Sequence, residues 1–419
     1  MKITLINTSD AGGGAPAACM RLLKALEGEK VDVHLLVQHK KTKERRVKSV
    51  TNNYLSRLKA KVDFLYERLP FIALHAKERS LRFAFSTANA GESISDEGMI
   101  LNADILHLHW TNSGFLSIDD LKDLVDIGKP IVWTLHDMWA FTGGCHYSGD
   151  CDHFQNQCGD CWFLRDAGPD DISHKGWLKK ASLFAGANIT FVTCSKWLAG
   201  VARQSSLLKD FRIESIPNPI DTAIFSPQDE TDMRAKWCVN PFAKVILFGA
   251  ANIMDRRKGI TYLVEALNIL QGKCADTTAV EVVIFGKNKH FDIAQIPFPV
   301  KELSIISSQE ELAEIYSMAD VFVTPSIEDN LPNTVMEALS CGTPVVAFNT
   351  GGIPEMVDHQ QNGYLAEFKS AADLAKGMYE VIYTDDAKAL SANARNKVLA
   401  NFNNEKVAQQ YIQLYQSVL

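Results

Sequence analysis

A strand, a short turn, a helix and a second strand follow one another directly within residues 319–348, and this order constrains the fold more than any other part of the chain. Residues 319–324 (ADVFVT) form a short, apolar and β-branched run that is typical of a buried strand. Residues 325–333 (PSIEDNLPN) are typical of a turn, and residues 342–344 (GTP) end the helix that follows. Strands that alternate with helices at such short spacing predict an α/β fold with parallel sheets.

The start of this helix is a predicted anion site. The first backbone N–H groups of a helix have no partners within it, and the helix dipole adds partial positive charge there. A diphosphate therefore fits against Leu331, Asn333 and Thr334. Asp329 and Glu337 would repel a phosphate but suit sugar hydroxyls, because a carboxylate accepts hydrogen bonds strongly. A capping box between Thr334 and Glu337, which needs no ligand, is an alternative that stays open.

The same stretch resembles the E-x7-E signature of retaining glycosyltransferases of family 4, which have the GT-B fold. Asp329 and Glu337 keep the spacing of the signature, with Asp where the family usually has Glu. The resemblance covers nearly the whole chain and implies that Glu337 holds the nucleotide ribose and Asp329 the transferred sugar. The other donor-binding residues that it implies in this stretch are Asn330, Leu331, Asn333 and Thr334.

Length and charge bound the class of protein. A chain of 419 residues with 46% hydrophobic content is long enough for two domains with full cores. The formal net charge of −7 argues against general binding of nucleic acid. The sequence has no run of about 18 apolar residues and no basic and apolar N-terminal signal, so we expect a cytoplasmic protein without a membrane span.

The first half of the chain contains a glycine-rich loop between its first strand and its first helix. Gly12, Gly13 and Gly14 let the backbone approach a ligand closely at the helix start. The resemblance implies that this loop lies beside the donor phosphates and the acceptor, whereas a plain flexible turn is the alternative. The strands predicted in this half cover residues 2–8, 31–38, 104–110, 130–136 and 189–195.

Three histidines lie in two of these strands. His107 and His109 alternate with apolar residues, so we predict that both are buried interior histidines. His136 ends its strand and meets Asp137, and ligands of open α/β sheets bind at the carboxyl ends of strands. It resembles the active-site histidine of the family, which reaches the donor sugar and whose neutral imidazole hydrogen-bonds a hydroxyl. A histidine that caps the following turn is the alternative.

Residues 55–85 are predicted to be largely helical, with a break at Pro70. Aromatic residues such as Phe64 and Tyr66 are interleaved with basic residues there. In this fold class the corresponding region commonly faces the acceptor, so one interpretation is peripheral contact with a membrane surface that carries a lipid-linked acceptor. The other interpretation is a solvated helix that packs by its apolar side.

Four of the nine cysteines lie in one insertion, residues 143–163. Thiolates at such spacing suit a tetrahedral structural zinc, although the gaps between the first three cysteines match no diagnostic motif. Structural zinc is the favoured interpretation, and two disulfides or free thiols stay open. We expect no cofactor for catalysis. The cysteines are Cys145, Cys151, Cys158 and Cys161.

The second half contains a cluster of three basic residues before a helix. Arg256, Arg257 and Lys258 suit the oxygens of a diphosphate, and Lys258 with the glycine after it matches the Lys-Gly of the family. Which of the two arginines meets the phosphates stays open. Gly286 follows another strand in a loop on the nucleotide side. The strands predicted in this half cover residues 244–251, 280–285, 303–307, 319–324 and 343–348.

The fold class that follows from the resemblance is GT-B, with two Rossmann-like domains that face each other across a cleft. An acceptor-side domain is expected at residues 1–216, with the cysteine-rich insertion inside it. A domain for the nucleotide sugar is expected at residues 217–395, after a proline-rich connection. A final helix at residues 396–419 is expected to cross back to the first domain.

The expected activity is transfer of a sugar from a nucleotide-diphosphate sugar to a glycan or lipid-linked acceptor in polysaccharide biosynthesis. The resemblance implies retention of the anomeric configuration. The residues expected to carry catalysis are His136, Lys258, Asp329 and Glu337. Two other classes stay open: a nucleotide-sugar epimerase of similar build, which needs no acceptor, and a binding protein that holds the sugar nucleotide without turnover.

Overall fold

A computed structural model describes residues 1–78, 81–274, 276–289 and 291–419 of the chain. The chain divides into two compact units. The first unit contains Met1–Asn218 and Val407–Leu419, and the second contains Pro219–Lys406. The first boundary falls in the proline-rich connection, and the second unit extends to Lys406 rather than to residue 395. No helix in the described part of the chain is both long enough and apolar enough to cross a membrane.

The first unit is built on a seven-stranded sheet in the order β3-β2-β1-β4-β5-β6-β7, and all neighbouring strands are parallel. Its central strands are buried on both faces, which explains why they read as continuous apolar runs. The strands are β1 (Lys2–Ser9), β2 (Asp32–His39), β3 (Val47–Ser49), β4 (Ile105–Leu108), β5 (Ile131–Leu135), β6 (Ile189–Thr193) and β7 (Arg212–Ser215).

Helices cover both faces of this sheet. Along β5, Ile131 and Trp133 pack into the core on one face, whereas Val132 packs into the core on the other. The second α-helix ends at Leu69, directly before the predicted break at Pro70, and a π-helical turn, Pro70–His75, continues from it. The helices are α1 (Gly14–Gly28), α2 (Tyr54–Leu69), α3 (Gly98–Leu101), α4 (Ile118–Asp126), α5 (Ile172–Phe184) and α6 (Lys196–Gln204).

The second unit has a six-stranded parallel sheet in the order β10-β9-β8-β11-β12-β13. Its edge strand β10 precedes the strand that we predicted at residues 303–307, so that prediction is wrong. The strands are β8 (Lys244–Asn252), β9 (Val280–Lys287), β10 (Val300–Leu303), β11 (Val321–Thr324), β12 (Val345–Phe348) and β13 (Gly363–Ala366). The helices are α7 (Glu230–Lys236), α8 (Ile260–Gln271), α9 (Gln309–Ser317), α10 (Asn333–Ser340), α11 (Ala371–Ile382) and α12 (Ala387–Asn401).

The last helix, α13 (Asn404–Val418), completes the first unit. Its residues Val407, Tyr411 and Tyr415 pack into the core that lies between helix α1 and the first sheet. Tyr411 and Tyr415 also bring two hydroxyl groups under the carboxyl ends of β4 and β5, where they hydrogen-bond polar side chains of the sheet. The end of the chain therefore supports the sheet edge at which His136 lies.

Candidate functional site

In the second unit, two glycines hold the loop between β11 and α10. Gly259 has a φ of 68°, and a side chain there would place its Cβ 2.0 Å from the carbonyl oxygen of Pro325. Gly351 has a φ of 58°, and its Cβ would lie 1.9 Å from the carbonyl oxygen of Asp329. Both positions need a residue without Cβ, because the backbone is left-handed and closely packed. The loop is therefore clamped between two neighbouring segments.

A lysine and an aspartate meet at this loop. The Lys258 Nζ atom donates a hydrogen bond to the Asp329 Oδ2 atom at 2.5 Å, and both side chains are largely shielded from solvent. The Ile327 N–H group also donates to the Arg257 carbonyl oxygen at 2.8 Å, which holds the basic turn against the loop. The first acid of the D-x7-E pattern and the lysine of the Lys-Gly pair are thus brought together, although they are 71 residues apart in the chain.

The three basic residues form one 3₁₀ turn, Arg256–Lys258, directly before helix α8. Arg257 has a partner within this turn's own cap, because its guanidinium donates to Asp255 Oδ2 at 2.7 Å. Arg256 is the more exposed of the two arginines. The structure leaves both arginines beside Lys258, so the choice between them stays open.

Glu337 is buried and has a specific partner. Helix α10 begins after Pro332 without any side-chain cap, so the capping-box alternative for Thr334 and Glu337 is wrong. The Glu337 Oε2 atom instead accepts a hydrogen bond from the Tyr316 hydroxyl at 3.0 Å. Tyr316 is fully buried, and the edge of its ring packs against Phe285 at the end of β9. Tyr316 therefore fixes the position of the Glu337 carboxylate.

The remaining residues of the second unit that we predicted to bind the donor lie at the ends of strands in its sheet. Asn330 and Leu331 are buried in the loop, whereas Asn333 and Thr334 are half-buried in the first turn of α10. Gly286 has a φ of 114°, and a Cβ there would lie 1.8 Å from the carbonyl oxygen of the adjacent strand β8. A helix start, a cation and two carboxylates thus occur within one unit, as a nucleotide sugar requires.

In the first unit, the glycine-rich loop forms the start of helix α1. Gly12 and Gly13 have φ values of 92° and 133°, and Gly13 is the N-cap residue, so no side chain caps this helix. The carboxylate of Asp10 accepts hydrogen bonds from the backbone N–H groups of Lys41 and Thr42, at 2.7 Å and 2.9 Å. The loop is therefore fixed at one end and presents bare backbone at the other.

His136 lies at the end of β5 and contacts a second histidine. Its Nε2 atom is 3.0 Å from the Nδ1 atom of His109, and its Nδ1 atom is 3.7 Å from the Cys194 sulfur. Burial lowers the pKa of His136 to about 4, although the charge of Asp137 opposes the shift. His136 is thus neutral at physiological pH, and one of the two histidines donates to the other.

The other two histidines are buried, so that prediction is confirmed. His107 lies between the Tyr415 hydroxyl and the Thr134 hydroxyl, at 2.7 Å and 2.8 Å, and burial lowers its pKa to about 3. Its ring stacks on His109 at 4.3 Å. A role for His109 beside His136 was not predicted, because alternation along one strand does not show which side chain lies across the neighbouring strand.

A small cleft, open to solvent, lies beside these histidines. Its lining includes His136, His109, Thr111 and Asn112. Within the described residues, the His109 Nε2, Thr111 Oγ1 and Asn112 Nδ2 atoms are buried and have no hydrogen-bond partner. Buried polar groups without a partner are uncommon in folded proteins, so these three atoms mark the cleft beside His136 as a polar site of the first unit.

Family models match both units of the chain. A model described as "Glycosyltransferase Family 4" matches residues 12–224, which is about half of the chain, and one described as "Glycosyl transferases group 1" matches residues 243–384. The chain belongs to glycosyltransferase family 4. The resemblance that we inferred from the D-x7-E stretch is therefore confirmed.

Curated proteins similar to this family 4 chain include a D-inositol 3-phosphate glycosyltransferase of Pseudarthrobacter chlorophenolicus. It is 27% identical over 68% of this chain and 63% of its own length, so the chain spans less than two thirds of that relative. A putative colanic acid biosynthesis glycosyl transferase of Escherichia coli, WcaC, is 25% identical over 76% of each chain. The similarity thus extends to bacterial glycosyltransferases of more than one kind.

Solved glycosyltransferase structures share the whole architecture. A sucrose-phosphate synthase from Thermosynechococcus elongatus has a TM-score of 0.69 at 19% identity and covers 100% of this chain and 98% of its own. HepE of Anabaena, solved in complex with UDP and with UDP-glucose, has TM-scores of 0.65 and 0.64 at 16% and 17% identity, with full coverage of both chains. These likenesses confirm the predicted GT-B fold.

The turn after His136 is held by Asp137 in this family 4 protein. The Asp137 carboxylate accepts hydrogen bonds from His146 Nδ1 at 2.8 Å, Trp110 Nε1 at 3.1 Å and the Trp139 backbone N–H at 2.8 Å. Burial would raise the pKa of Asp137, but these partners, His146 above all, outweigh it and lower the pKa. His146 therefore helps to hold the turn after His136 through its hydrogen bond with Asp137.

The four cysteines of the insertion are free in the structure. The backbone N–H of Gly143 donates to the Cys158 sulfur at 3.1 Å. Burial raises the pKa of Cys158 to about 11 and that of Cys161 to about 12. Among the described residues, no group of three or more His, Cys, Asp or Glu side chains is arranged to hold a metal ion. A structural zinc at Cys145, Cys151, Cys158 and Cys161 stays a prediction.

Proposed function

We propose that this protein transfers a sugar from a uridine-diphosphate sugar to a glycan or lipid-linked acceptor, with retention of the anomeric configuration, in polysaccharide biosynthesis. The observation that carries the proposal is the ion pair of Lys258 with Asp329 in the D-x7-E loop. HepE, a neighbour in fold, was solved with UDP and UDP-glucose, which supports the donor. The similarity to WcaC, a putative colanic acid biosynthesis glycosyl transferase, supports the pathway class.

The donor diphosphate is the leaving group of this reaction. The bond between the anomeric carbon and a phosphate oxygen breaks, so negative charge develops on that oxygen and must be stabilised. Lys258 supplies a point charge, and the N–H groups at the start of α10 supply a partial positive charge. When Lys258 binds the phosphate, its ion pair with Asp329 is weakened. The Asp329 carboxylate then becomes available to a hydroxyl of the transferred sugar.

Acceptor attack completes the transfer. The acceptor hydroxyl oxygen forms a new bond to the anomeric carbon, and its proton passes to the departing phosphate oxygen. Attack on the face that the leaving group vacates retains the configuration without a protein nucleophile. In this proposal the neutral imidazole of His136 hydrogen-bonds a hydroxyl of the donor sugar, and Glu337 binds the two ribose hydroxyls.

A thermal-shift panel tests the proposal. Nucleoside diphosphates and their sugars are added to the wild type, to Lys258→Ala and to a matched control, Lys244→Ala. Lys244 also pairs with an aspartate in the second unit, Asp320 at 3.1 Å, but it lies at the opposite end of β8. We expect UDP and one UDP-sugar to raise the unfolding temperature of the wild type and of the control, and to have no effect on Lys258→Ala.

The outcomes separate the proposal from its alternatives. No shift with any nucleotide, or an equal shift in Lys258→Ala, would overturn the assigned donor site. Conversion of the donor to a second UDP-sugar without any acceptor would indicate an epimerase. Binding of donor without transfer to crude lipid-linked acceptors would indicate a binding protein.

The proposal extends to where the acceptor is met. We place the reaction at the cytoplasmic face of a cell membrane, where a lipid-linked acceptor is anchored. Support comes from the many exposed apolar side chains on and beside helix α2 of the first unit, which are interleaved with basic residues.

A further inference from the structure

Helix α2 is turned with its apolar side away from the protein. A single stripe of five large apolar side chains, spaced three and four residues apart, runs along the whole helix, and these side chains are between 47% and 76% exposed. The buried residues of the helix are Ala60, Glu67 and Arg68. A surface helix normally buries its apolar stripe and exposes its polar side, so this arrangement is reversed. The residues of the stripe are Leu55, Leu58, Val62, Leu65 and Leu69.

Several contacts fix the helix in this orientation. Gly114 packs so closely on it that a Cβ there would lie 2.4 Å from the backbone nitrogen of Phe64. Lys59 donates to the carbonyl oxygen of Gly91 at 2.9 Å. Arg68 donates to the carbonyl oxygen of Arg82 at 2.8 Å. Because these contacts hold the helix between Lys59 and Arg68, the helix cannot turn its stripe inward without losing them.

The charge of the chain segment that includes the stripe indicates its partner. Residues 40–82 contain thirteen Lys and Arg residues but four Asp and Glu residues, whereas the whole chain has a net charge of −7. On α2 itself, the exposed Arg57 and Lys61 lie one turn apart along one side of the stripe. A second copy of the chain would bring these positive charges face to face, which disfavours a dimer through the stripe. An anionic surface complements them.

Aromatic residues border the stripe as well. Tyr54 and Tyr66 are exposed on α2, with 77% and 60% of their surface accessible. Amphipathic aromatic rings, an apolar face and basic residues together are typical of helices that lie in a membrane interface.

We propose that the outward stripe of helix α2, with Arg57 and Lys61 beside it, docks the enzyme on an anionic lipid surface. The inference deepens the proposed function, because it assigns the membrane contact to one face of one helix. Only the expected benefit to catalysis rests on the proposed function. A contiguous row of exposed apolar side chains on a protein surface marks an interaction site. Docking would place the first unit, which carries His136, next to membrane-anchored acceptors.

Vesicle flotation with the full-length protein tests this inference. Vesicles of phosphatidylcholine alone are compared with vesicles that also contain phosphatidylglycerol. We expect the wild type to float with the anionic vesicles and less with the neutral ones, and we expect added salt to weaken binding. Substitution of Leu58→Glu together with Leu65→Glu should lower binding about tenfold or more, because two charges enter the apolar face.

Matched variants on helix α5 serve as controls. Leu178 is 49% exposed on that helix, close to the exposure of Leu58, and Leu178→Glu should leave binding unchanged. Arg57→Gln with Lys61→Gln should weaken binding to anionic vesicles by about fivefold for each charge removed. The same change at the exposed pair Lys175 and Lys179, which has the same spacing, should have little effect.

Three results would overturn the inference. The first is that the wild type does not float with anionic vesicles. The second is that the Leu58→Glu, Leu65→Glu variant floats as well as the wild type. The third is that the α5 controls lose as much binding as the α2 variants. A dimer in analytical ultracentrifugation that this variant abolishes, without vesicle binding, would identify a second copy as the partner. UDP binding to the same variants distinguishes this failure from that of the proposed function, because none of the residues predicted to bind the donor lies on helix α2 and UDP binding should be unchanged.

Discussion

The site residues of the two units lie at the carboxyl ends of parallel strands, but their chemistry differs. In the first unit, His109 and His136 are hydrogen-bonded and His107 stacks on His109, and all three are neutral because burial lowers the pKa of each. In the second unit, Lys258 and Asp329 form an ion pair beside the start of a helix. The histidines of the first unit therefore present uncharged hydrogen-bonding groups, whereas the loop of the second unit presents charges.

The difference follows from how each group is placed. The three histidines lie on or directly after strands inside the sheet, where an isolated charge would be costly to bury. Lys258 lies in a 3₁₀ turn and Asp329 in a loop, and each of these largely shielded charges has the other as a partner. Under the proposed function, the neutral edge suits sugar hydroxyls and the charged loop suits a diphosphate. The predictions below test this division, beginning with the largest expected effect.

Acid should destabilise the first unit through its neutral histidines. The pKa of His107 falls from 6.5 to about 3 on folding, so the unfolded state binds more protons than the folded state below pH 6.5. The stability that this histidine contributes is complete above pH 6.5 and is lost as the pH falls. Between pH 6.5 and about pH 4.5, the wild type should lose about 2.5 kcal/mol through His107.

Urea unfolding followed by tryptophan fluorescence measures this effect. Six of the seven tryptophans lie before residue 218, so the signal follows mainly the first unit. His107→Gln cannot be protonated and should show a shallower loss of unfolding free energy with falling pH. His34→Gln is the control, because His34 is only half-buried on β2. Equal pH slopes for wild type and His107→Gln would show that the neutral cluster does not determine acid stability.

Glu337→Gln should weaken nucleotide binding in the second unit, where the site residues are charged. The change keeps the shape and the contact with the Tyr316 hydroxyl but removes the charge that the ribose hydroxyls would meet. UDP affinity measured by calorimetry should fall by about 2 kcal/mol, the range for a hydrogen bond to a charged group. Unfolding free energy should change little, because Glu337 caps no helix.

Tyr316→Phe separates the carboxylate from its support. It removes one hydroxyl and leaves the charge of Glu337 in place, so UDP affinity should fall less than in Glu337→Gln. If Glu337→Gln instead lowers stability while UDP binds normally, the carboxylate is structural and the assignment of the ribose site is wrong.

Most of the fold could be predicted because local sequence and tertiary structure agree. The run at residues 319–324 contains β11, and the Gly-Thr-Pro after Ser340 ends α10 as predicted. The prediction of the edge strand was wrong. The apolar residues at 305–306 suggested a strand, but β10 is the more polar Val300–Leu303, whose position is set by pairing with β9. Pairing between distant segments leaves no local signal in an edge strand.

Helix α2 shows a second limit. Its helical pattern was visible, but the interpretation that it packs by its apolar side is wrong, because Leu55, Leu58 and Leu65 are exposed. Contacts from Gly114 and Gly91, far along the chain, decide which side is buried. The same limit applies to the site, where neither the contact of Tyr316 with Glu337 nor that of His109 with His136 can be seen in sequence spacing.

The last prediction tests whether His109 acts through His136. His136→Ala should lower turnover of the UDP-sugar by about 2 kcal/mol of activation free energy, while UDP affinity stays the same, because UDP is bound by the second unit in the proposed function. His109→Gln should lower turnover by about 1 kcal/mol, since the amide keeps a hydrogen bond to His136 Nε2 but not the ring geometry.

A double-mutant cycle distinguishes positioning from an independent role. If His109 orients His136, its substitution has nothing left to disturb once His136 is alanine, so the double variant should be no slower than His136→Ala alone. Additive losses would mean that His109 contacts substrate itself or supports the fold. In the second case unfolding free energy would fall in parallel with turnover, which urea titration of the same variants would detect. If the losses of turnover are not additive and UDP affinity is unchanged, the two histidines act together on the sugar and not on the diphosphate.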